Sequence, residues 1–276
     1  MPSQIFSEVL KTAELLDNAD PKWLTSKKEP DFITVEKGEN GPPMLLLHGL
    51  FGALSNWDSV IPKFAEYSNP IALHFPLLTG HKTEVKVKAL AAFTDFFVRK
   101  RKLQPAIICG NSLGGHVALR LALARPDMVD CLILSGSSGL YEHTVDSLPI
   151  RPGEKFVREH MSKVFYNQEF VTENAIQEIV DILKSKTRTL NLVHAAKSAK
   201  RDNMQNLLSQ IKCPILLLWG ENDTVTDLEV AETFHKLLPN STLVTIPKCG
   251  HAPMIEHPQW FAEEVKKFLL KNSRLK

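Results

Sequence analysis

The amino-acid sequence predicts an α/β fold with a mostly parallel central sheet and helices on both faces. Short, continuous apolar runs recur along the chain, and such runs are typical of parallel strands that are buried on both faces. Helical patterns separate most of these runs, and this alternation predicts a sheet covered by helices on both sides. The predicted strands are residues 31–35, 43–47, 70–75, 105–109, 128–135, 213–219 and 241–246.

Helical periodicity is clearest between these runs and at both ends of the sequence. Pro258 precedes the last pattern and suits the first turn of a helix. The predicted helices are residues 3–17, 85–102, 113–124, 228–238 and 260–270.

The alternation breaks between Gly139 and about Gln210, where the sequence has helical patterns and no convincing buried strand. Its candidate helices are residues 156–165, 175–183 and 190–207, and we interpret this stretch as a helical insertion. The predicted organisation is therefore a core in two parts, residues 1–139 and 209–276, with a cap or lid at 140–208. The insertion either covers the sheet structurally or shapes a pocket, because ligands bind beyond the carboxyl ends of strands in such sheets.

Composition excludes several classes of protein. The 276 residues are 43% hydrophobic and 23% charged, with 33 Lys and Arg against 31 Asp and Glu, a net charge of +2. This composition is too apolar for a disordered chain. The nearly equal numbers of basic and acidic residues lack the basic excess of a dedicated nucleic-acid-binding protein. No apolar run reaches the roughly 18 residues of a membrane span, and the N-terminus lacks a signal-peptide pattern. We expect a cytoplasmic protein that binds a small-molecule substrate, with no nucleic-acid or membrane partner; its oligomeric state is left open.

Cysteine and histidine spacings do not favour a disulfide framework or a metal site. The four cysteines, Cys109, Cys131, Cys213 and Cys249, form no C-x-x-C pair, so we expect reduced thiols. His251 and His257 do not have the zinc-binding H-E-x-x-H spacing. We therefore expect no metal and no cofactor.

The sharpest motif is Gly-Asn-Ser-Leu-Gly-Gly at residues 110–115, between a predicted strand and a predicted helix. A G-x-S-x-G sequence in that context is typical of a strained turn that exposes a nucleophilic serine, here Ser112. The start of the following helix favours negative charge nearby. The alternative interpretation is a glycine-rich helix start with Ser112 as an ordinary cap.

A serine needs a base, and the base needs an acid that orients it. His251 follows the last predicted strand and is our candidate base, although it could be an ordinary polar loop residue. Asp223 follows the strand at 213–219 and is the candidate acid. By sequence alone, Glu221 and Asp227 are close rivals.

The attack on a carbonyl creates an oxyanion, which requires preorganised donors. The backbone N–H of Leu113, directly after Ser112, is one candidate. The second should come from the loop at 48–52, where we favour the N–H of Leu50, with Phe51 as the alternative. We expect His48 to brace this loop through hydrogen bonds.

These motifs resemble the α/β-hydrolase superfamily over nearly the whole chain, at residues 48–52, 110–115, 219–223 and 250–253. The chain is most similar to lid-bearing serine esterases, haloperoxidase-like enzymes and meta-cleavage C–C hydrolases. The resemblance implies the α/β-hydrolase fold, with a helical lid after the sixth strand, the one that ends near Ser135. It also implies a triad of Ser112, Asp223 and His251. The implied oxyanion donors are Leu50 and Leu113.

The predicted function is that of a serine hydrolase that cleaves a small carboxylic ester through an acyl-enzyme. Hydrolysis of a C–C bond in a meta-cleavage product, cofactor-free haloperoxidase-like chemistry and a ligand receptor on the same fold are the alternatives. Ala252 stands where the C–C hydrolases carry a tryptophan after the catalytic histidine. Residues 74–81 keep only Gly80 of the Asp-x-x-Gly-x-Gly-x-Ser segment found in many relatives.

Overall fold

A computed structural model describes residues 2–38, 41–51, 54–141 and 153–275. Its described residues contain a seven-stranded sheet in the order β1-β3-β2-β4-β5-β6-β7. Only β1 is antiparallel to its neighbour, so the prediction of a mostly parallel sheet is confirmed. The strands are β1 Thr34–Glu36, β2 Pro43–Leu47, β3 Asn69–Leu73, β4 Ala106–Asn111, β5 Val129–Ser135, β6 Ile215–Gly220 and β7 Ser241–Ile246.

The α-helices include a counterpart for every helix that the sequence predicts. Three four-residue helices, α2, α3 and α10, were not predicted, because about one turn is too short to show a period. The helices are α1 Pro2–Leu15, α2 Lys22–Thr25, α3 Ile61–Phe64, α4 Val87–Arg101, α5 Leu113–Ala124, α6 Glu154–Val164, α7 Glu173–Leu183, α8 Lys186–Arg201, α9 Leu228–Leu237, α10 Pro253–Glu256 and α11 Pro258–Lys271.

Helix α8 differs most from its prediction, which placed it at 190–207. It begins earlier because the side chain of Ser185 accepts a hydrogen bond from the N–H of Arg188. It ends at Arg201, and the N–H of Met204 then donates to the carbonyl of Gly139 at 2.8 Å. Met204 and Leu207 continue the helical spacing beyond Arg201, but they lie outside the helix.

The two faces of the sheet bury different sets of side chains. In β2, Leu45 and Leu47 belong to the core cluster that includes residues of α4 and α5. Met44 and Leu46 point to the other face and join a cluster with Phe261 of α11. Successive strand residues alternate between the faces, so an apolar run is the sequence of a strand covered on both sides.

Helices α6, α7 and α8, here called the α6–α8 segment (residues 154–201), lie between β5 and β6. Counted along the described residues, they follow the fifth strand rather than the sixth, because β1 is the only strand before β2. The predicted start of the cap adjoins residues 142–152, which are outside the described residues. The division into 1–139, 140–208 and 209–276 stays a prediction.

A buried charge cluster connects the end of the α6–α8 segment to α5. Asp202, directly after α8, accepts two hydrogen bonds from the guanidinium of Arg120, one of them from Nε at 2.7 Å. The ring Nε2 of His116 lies 3.3 Å from the same carboxylate, and Lys88 Nζ lies 3.5 Å away. Burial opposes ionisation of Asp202, but its contacts with His116 and Arg120 outweigh that effect and hold its pKa well below the usual range.

The four cysteines are free thiols, as predicted. Cys109, Cys131 and Cys249 are buried and Cys213 is half-buried, and burial raises the pKa of each thiol. No helix in the described part of the chain is both long and apolar enough to cross a bilayer.

We expect Asp202→Leu to lower the free energy of unfolding by about 3–5 kcal/mol, because Arg120 would remain buried without its carboxylate. Urea unfolding at pH 7 measures this loss. In the double variant Arg120→Met/Asp202→Leu, part of the stability should return, since an apolar pair replaces the ion pair. The matched control is Asp181→Leu, whose exposed pair with Lys184 should contribute less than about 1 kcal/mol. Equal losses in the single and double variants would contradict this account.

Candidate active site

Ser112 occupies the turn between β4 and α5 with φ 53° and ψ −118°, a conformation that L-residues rarely adopt. Its N–H donates to the carbonyl of Ser135 at 3.0 Å. Its own carbonyl accepts from the N–H groups of His116 and Ser138, each at 3.2 Å. The end of β5 and the start of α5 thus hold the strained backbone, and the sequence motif lies at a strand–turn–helix junction.

Two glycines allow the loop after β2 to approach this turn. A Cβ placed on Gly49 would lie 3.2 Å from Cβ of Ser112, closer than side chains normally pack. A Cβ on Gly114 would collide with the carbonyl oxygen of Leu47 at the end of β2. The absence of both side chains brings residues 47–50 against the serine and the first turn of α5.

Asp223 and His251 form a buried hydrogen-bonded pair. His251 Nδ1 lies 2.8 Å from Asp223 Oδ2. The other carboxylate oxygen, Oδ1, accepts from the N–H groups of Val225 at 2.8 Å and Thr226 at 3.0 Å. The hydroxyl of Thr226 donates to Oδ2 at 3.0 Å. These donors fix the carboxylate, and the carboxylate favours the tautomer of His251 with its proton on Nδ1 and its acceptor lone pair on Nε2.

The two rival carboxylates make other contacts. Glu221 is exposed and accepts a hydrogen bond from the hydroxyl of Thr245 at 3.0 Å. Asp227 precedes α9 and accepts from the N–H of Val230 at 3.2 Å, as a helix cap does. The carboxylate of Asp223, in contrast, is hydrogen bonded to the ring of His251.

Asn111 connects the serine turn to the histidine loop. Its side-chain amide donates to the carbonyl of Ser135 at 3.0 Å and to the carbonyl of His251 at 3.1 Å. Gly136, which follows Ser135, has φ +51°, and a Cβ there would lie 2.7 Å from His251 Nδ1. The turn of Ser112 and the ring of His251 therefore both lie beside the end of β5. Sequence reasoning gave Asn111 no role, because no local pattern shows a bond to a residue 140 positions away.

The loop after β2 is braced by His48, as the sequence predicts. Nδ1 of His48 donates to the carbonyl of Gly49 at 2.8 Å, and Nε2 accepts from the N–H of Phe75 at 3.0 Å. Burial lowers the pKa of His48 to about 4, so the ring is neutral at pH 7. Leu50, the predicted oxyanion donor, directly follows Gly49, whose carbonyl His48 holds.

His160 was not among the predicted site residues, and α6 places it beside this loop. Its ring centroid lies 5.5 Å from that of Phe51 in an edge-on contact and 6.1 Å from that of Phe156. Burial lowers the pKa of His160, and electrostatic interactions with Lys163 and His251 act in the same direction. A single histidine within a helical pattern carries no motif, so the sequence contained no signal for this position.

We expect the stability of the protein to fall as the pH drops through the range in which His48 gains a proton. Its pKa is about 4 when folded, against about 6.5 when unfolded. Neutral His48 therefore contributes fully above pH 6.5, and up to about 3 kcal/mol is lost as the pH falls to 4. Urea unfolding at pH 7, 5.5 and 4 measures the loss.

In His48→Gln, whose side chain keeps one donor and one acceptor, this loss should be shallower by about 3 kcal/mol. The other titrating groups are common to both proteins, so the difference isolates His48. His235→Gln, at an exposed histidine, is the matched control and should follow the unmodified protein. Identical pH dependence in all three proteins would contradict the prediction.

Comparison with known proteins places this geometry in a family. A model of the alpha/beta hydrolase family matches residues 44–264. The structure is also similar to that of an alpha/beta hydrolase enzyme from a sediment metagenome of the Mar Chica lagoon, Morocco. The TM-score is 0.73 and the identity 33%, covering 89% of this chain and 97% of the other. These matches confirm the α/β-hydrolase fold that the sequence motifs imply.

Two curated relatives have named activities. The chain is 28% identical to a pimeloyl-(acyl-carrier protein) methyl ester esterase of Nitrosomonas europaea, over 83% of this chain and 96% of the relative. It is 29% identical to a 2-hydroxy-6-oxo-6-(2'-aminophenyl)hexa-2,4-dienoic acid hydrolase of Metapseudomonas resinovorans, over 83% of this chain and 84% of the relative.

Proposed function

The chain belongs to the alpha/beta hydrolase family, and from that premise we propose that it is a serine hydrolase of small carboxylic esters. The observation that carries the proposal is the buried Asp223–His251 pair, which shares the end of β5 with the strained turn of Ser112. A serine held in such a turn beside an oriented imidazole has the groups that nucleophilic acyl transfer requires.

In the proposed reaction, Oγ of Ser112 attacks the ester carbonyl while Nε2 of His251 takes the hydroxyl proton. Asp223 stabilises the imidazolium that forms. As the tetrahedral intermediate collapses, the imidazolium gives its proton to the leaving alcohol, and the acyl group stays on Ser112. Water then loses a proton to His251 and attacks the acyl-enzyme. The second collapse returns the proton to Ser112 and releases the acid.

The negative charge of each intermediate lies on the former carbonyl oxygen. We assign its donors to the backbone N–H groups of Leu113 and Leu50. Leu113 is the first residue of α5, so its N–H has no acceptor within the helix and lies at the positive end of the helix dipole. The approach of Gly49 to Ser112 supports the assignment of Leu50, the next residue.

The resemblance to the esterase of Nitrosomonas europaea supports ester hydrolysis, and the resemblance to the dienoic acid hydrolase of Metapseudomonas resinovorans supports C–C bond hydrolysis as the second candidate. The same triad would serve both reactions. Parallel assays with a simple p-nitrophenyl ester and a meta-cleavage product distinguish the two reactions, because the preferred substrate is hydrolysed with the larger kcat/KM. Multiple turnovers with either compound would argue against a ligand receptor.

We expect Ser112→Ala to lower kcat for p-nitrophenyl ester hydrolysis by about 10⁴-fold or more, because the nucleophile is removed. A fluorophosphonate label on the unmodified protein should map to the peptide that contains Ser112. Ser138→Ala, at a buried serine that is not assigned to the reaction, is the matched control for labelling. Unchanged turnover in Ser112→Ala, or a label on another serine, would refute the proposed nucleophile.

We expect Thr226→Val to lower kcat by about tenfold, because Asp223 loses a hydroxyl donor from a buried site. The substitution keeps the volume of the side chain. Thr245→Val removes a hydroxyl–carboxylate hydrogen bond from the rival Glu221 and should leave kcat within about twofold. Equal effects of the two substitutions on kcat would contradict the assignment of Asp223 as the acid.

A further inference from the structure

The loop that carries His251 leaves the sheet at its edge. It follows β7, which is the last strand in the order of the sheet and pairs with one described neighbour, β6. The residues of β7 are half-buried or exposed, whereas those of β6 are all buried. A loop that begins at an edge strand has sheet backbone on one side alone, so its position depends on contacts from other parts of the chain.

The end of α6 and the turn after it supply such contacts, and residues 163–167 are here called the α6 exit. Carbonyls in the last turn of a helix have no N–H partner within the helix, so they can accept hydrogen bonds from other loops. The carbonyl of Val164 accepts from the backbone N–H of His251 at 2.7 Å. The carbonyl of Lys163 accepts from the hydroxyl of Thr224, in the loop of the acid, at 2.9 Å. The α6 exit is therefore bonded to the base and to the loop of its acid.

Glu256 connects the α6 exit to the same loop a second time. Its Oε1 accepts from the N–H of Gly250 at 2.7 Å, and its Oε2 accepts from the N–H of Asn167 at 2.8 Å. Gly250 allows the close approach, because a Cβ there would lie 2.4 Å from the carbonyl oxygen of Val164. The two oxygens of one half-buried carboxylate thus bridge the residue before His251 to the α6–α8 segment.

We propose that Glu256 is a positioning residue for the reaction, through which the α6 exit holds His251 in the orientation that proton transfer with Ser112 requires. The inference rests on the proposed function, because it takes His251 as the base. It gives the α6–α8 segment a part in setting the position of a reacting group, besides covering the sheet. Without the carboxylate, the loop loses its bridge to the α6 exit, and the imidazole samples orientations that do not transfer the proton.

The first test measures the hydrolysis of p-nitrophenyl butyrate by Glu256→Ala and Glu256→Gln. We expect Glu256→Ala to lower kcat by about tenfold while KM stays within about twofold, because acylation and deacylation both use His251 and binding of the ester does not. Glu256→Gln has the same shape and keeps one acceptor oxygen, but its amide group faces the second N–H. It should therefore lose only about threefold in kcat. Each variant is assayed below its unfolding transition, so that lower stability alone leaves kcat unchanged.

The matched control is Glu169→Ala, at an exposed carboxylate that accepts from the side chain of Asn167. It should leave kcat within about twofold of that of the unmodified protein. Unchanged kcat in Glu256→Ala would overturn the proposal, and so would a loss that appears in KM alone. If Glu256→Ala does not fold, Glu256→Gln decides the question, and unchanged kcat in that variant would overturn the proposal.

The second test needs no substrate and separates this inference from the proposed function. Hydrogen exchange followed by NMR should be faster at the backbone N–H of His251 in Glu256→Gln than in the unmodified protein, and Glu169→Ala should not change it. Equal exchange in Glu256→Gln and the unmodified protein would overturn the proposal. If exchange is faster but the unmodified protein hydrolyses no ester, the proposed function fails and the positioning of His251 by Glu256 stands. If esters are hydrolysed but kcat does not depend on Glu256, this inference alone fails.

Discussion

The candidate site depends on the register of three neighbouring parallel strands, β4, β5 and β6, whose carboxyl ends lie side by side. Asn111 at the end of β4 pairs with Ser135 at the end of β5, and Ser135 pairs with Leu218 near the end of β6. Because these ends are level, the three loops that leave them start at one edge of the sheet. The carbonyl of Ser135 then accepts hydrogen bonds from both Ser112 and Asn111, and Asn111 also holds the loop of His251. Without the parallel register, Ser112 and Asn111 would not share the carbonyl of Ser135 as an acceptor, and the amide of Asn111 would not reach the carbonyl of His251.

The hydrogen bonds of the site divide into those that hold the backbone and those that orient the charged side chains. Ser112 keeps its strained φ because three backbone hydrogen bonds from β5, α5 and the loop after β5 fix its peptide groups. Asp223 keeps its orientation because both carboxylate oxygens accept from donors within three residues. His251 is then positioned from both sides, by Asp223 at its ring and by Asn111 at its carbonyl. A rigid arrangement of this kind lowers the reorganisation that proton transfer would otherwise require.

Much of the fold could be predicted from the sequence because its signals are local. The apolar run of β2 and the helical period of α5 depend only on nearby residues, and both elements were placed within a residue or two. The Gly-Asn-Ser-Leu-Gly-Gly motif was informative because a strained turn needs small neighbours at fixed offsets. The choice of Asp223 over Glu221 and Asp227 could not be derived from spacing, since it depends on how the loop after β6 folds back toward β7. Asn111 and His160 were missed because their partners are brought close only by tertiary packing. Thr226 was missed because its bond to Asp223 depends on the conformation of the loop after β6.

Burial has the same effect on the charge of three imidazoles, those of His48, His74 and His160. Desolvation lowers the pKa of His48, His74 and His160 together, so all three imidazoles favour the neutral form near neutral pH. Under the proposed mechanism, a fixed cation there would attract the anionic acid product and slow its release. The proposed donors, the N–H groups of Leu50 and Leu113, would instead stabilise charge on a single oxygen. In the proposed mechanism, His251 carries a positive charge only while the tetrahedral intermediate exists. Under the proposed mechanism, neutral neighbours would therefore favour the transition state over the bound product, and this is the discrimination on which catalysis depends.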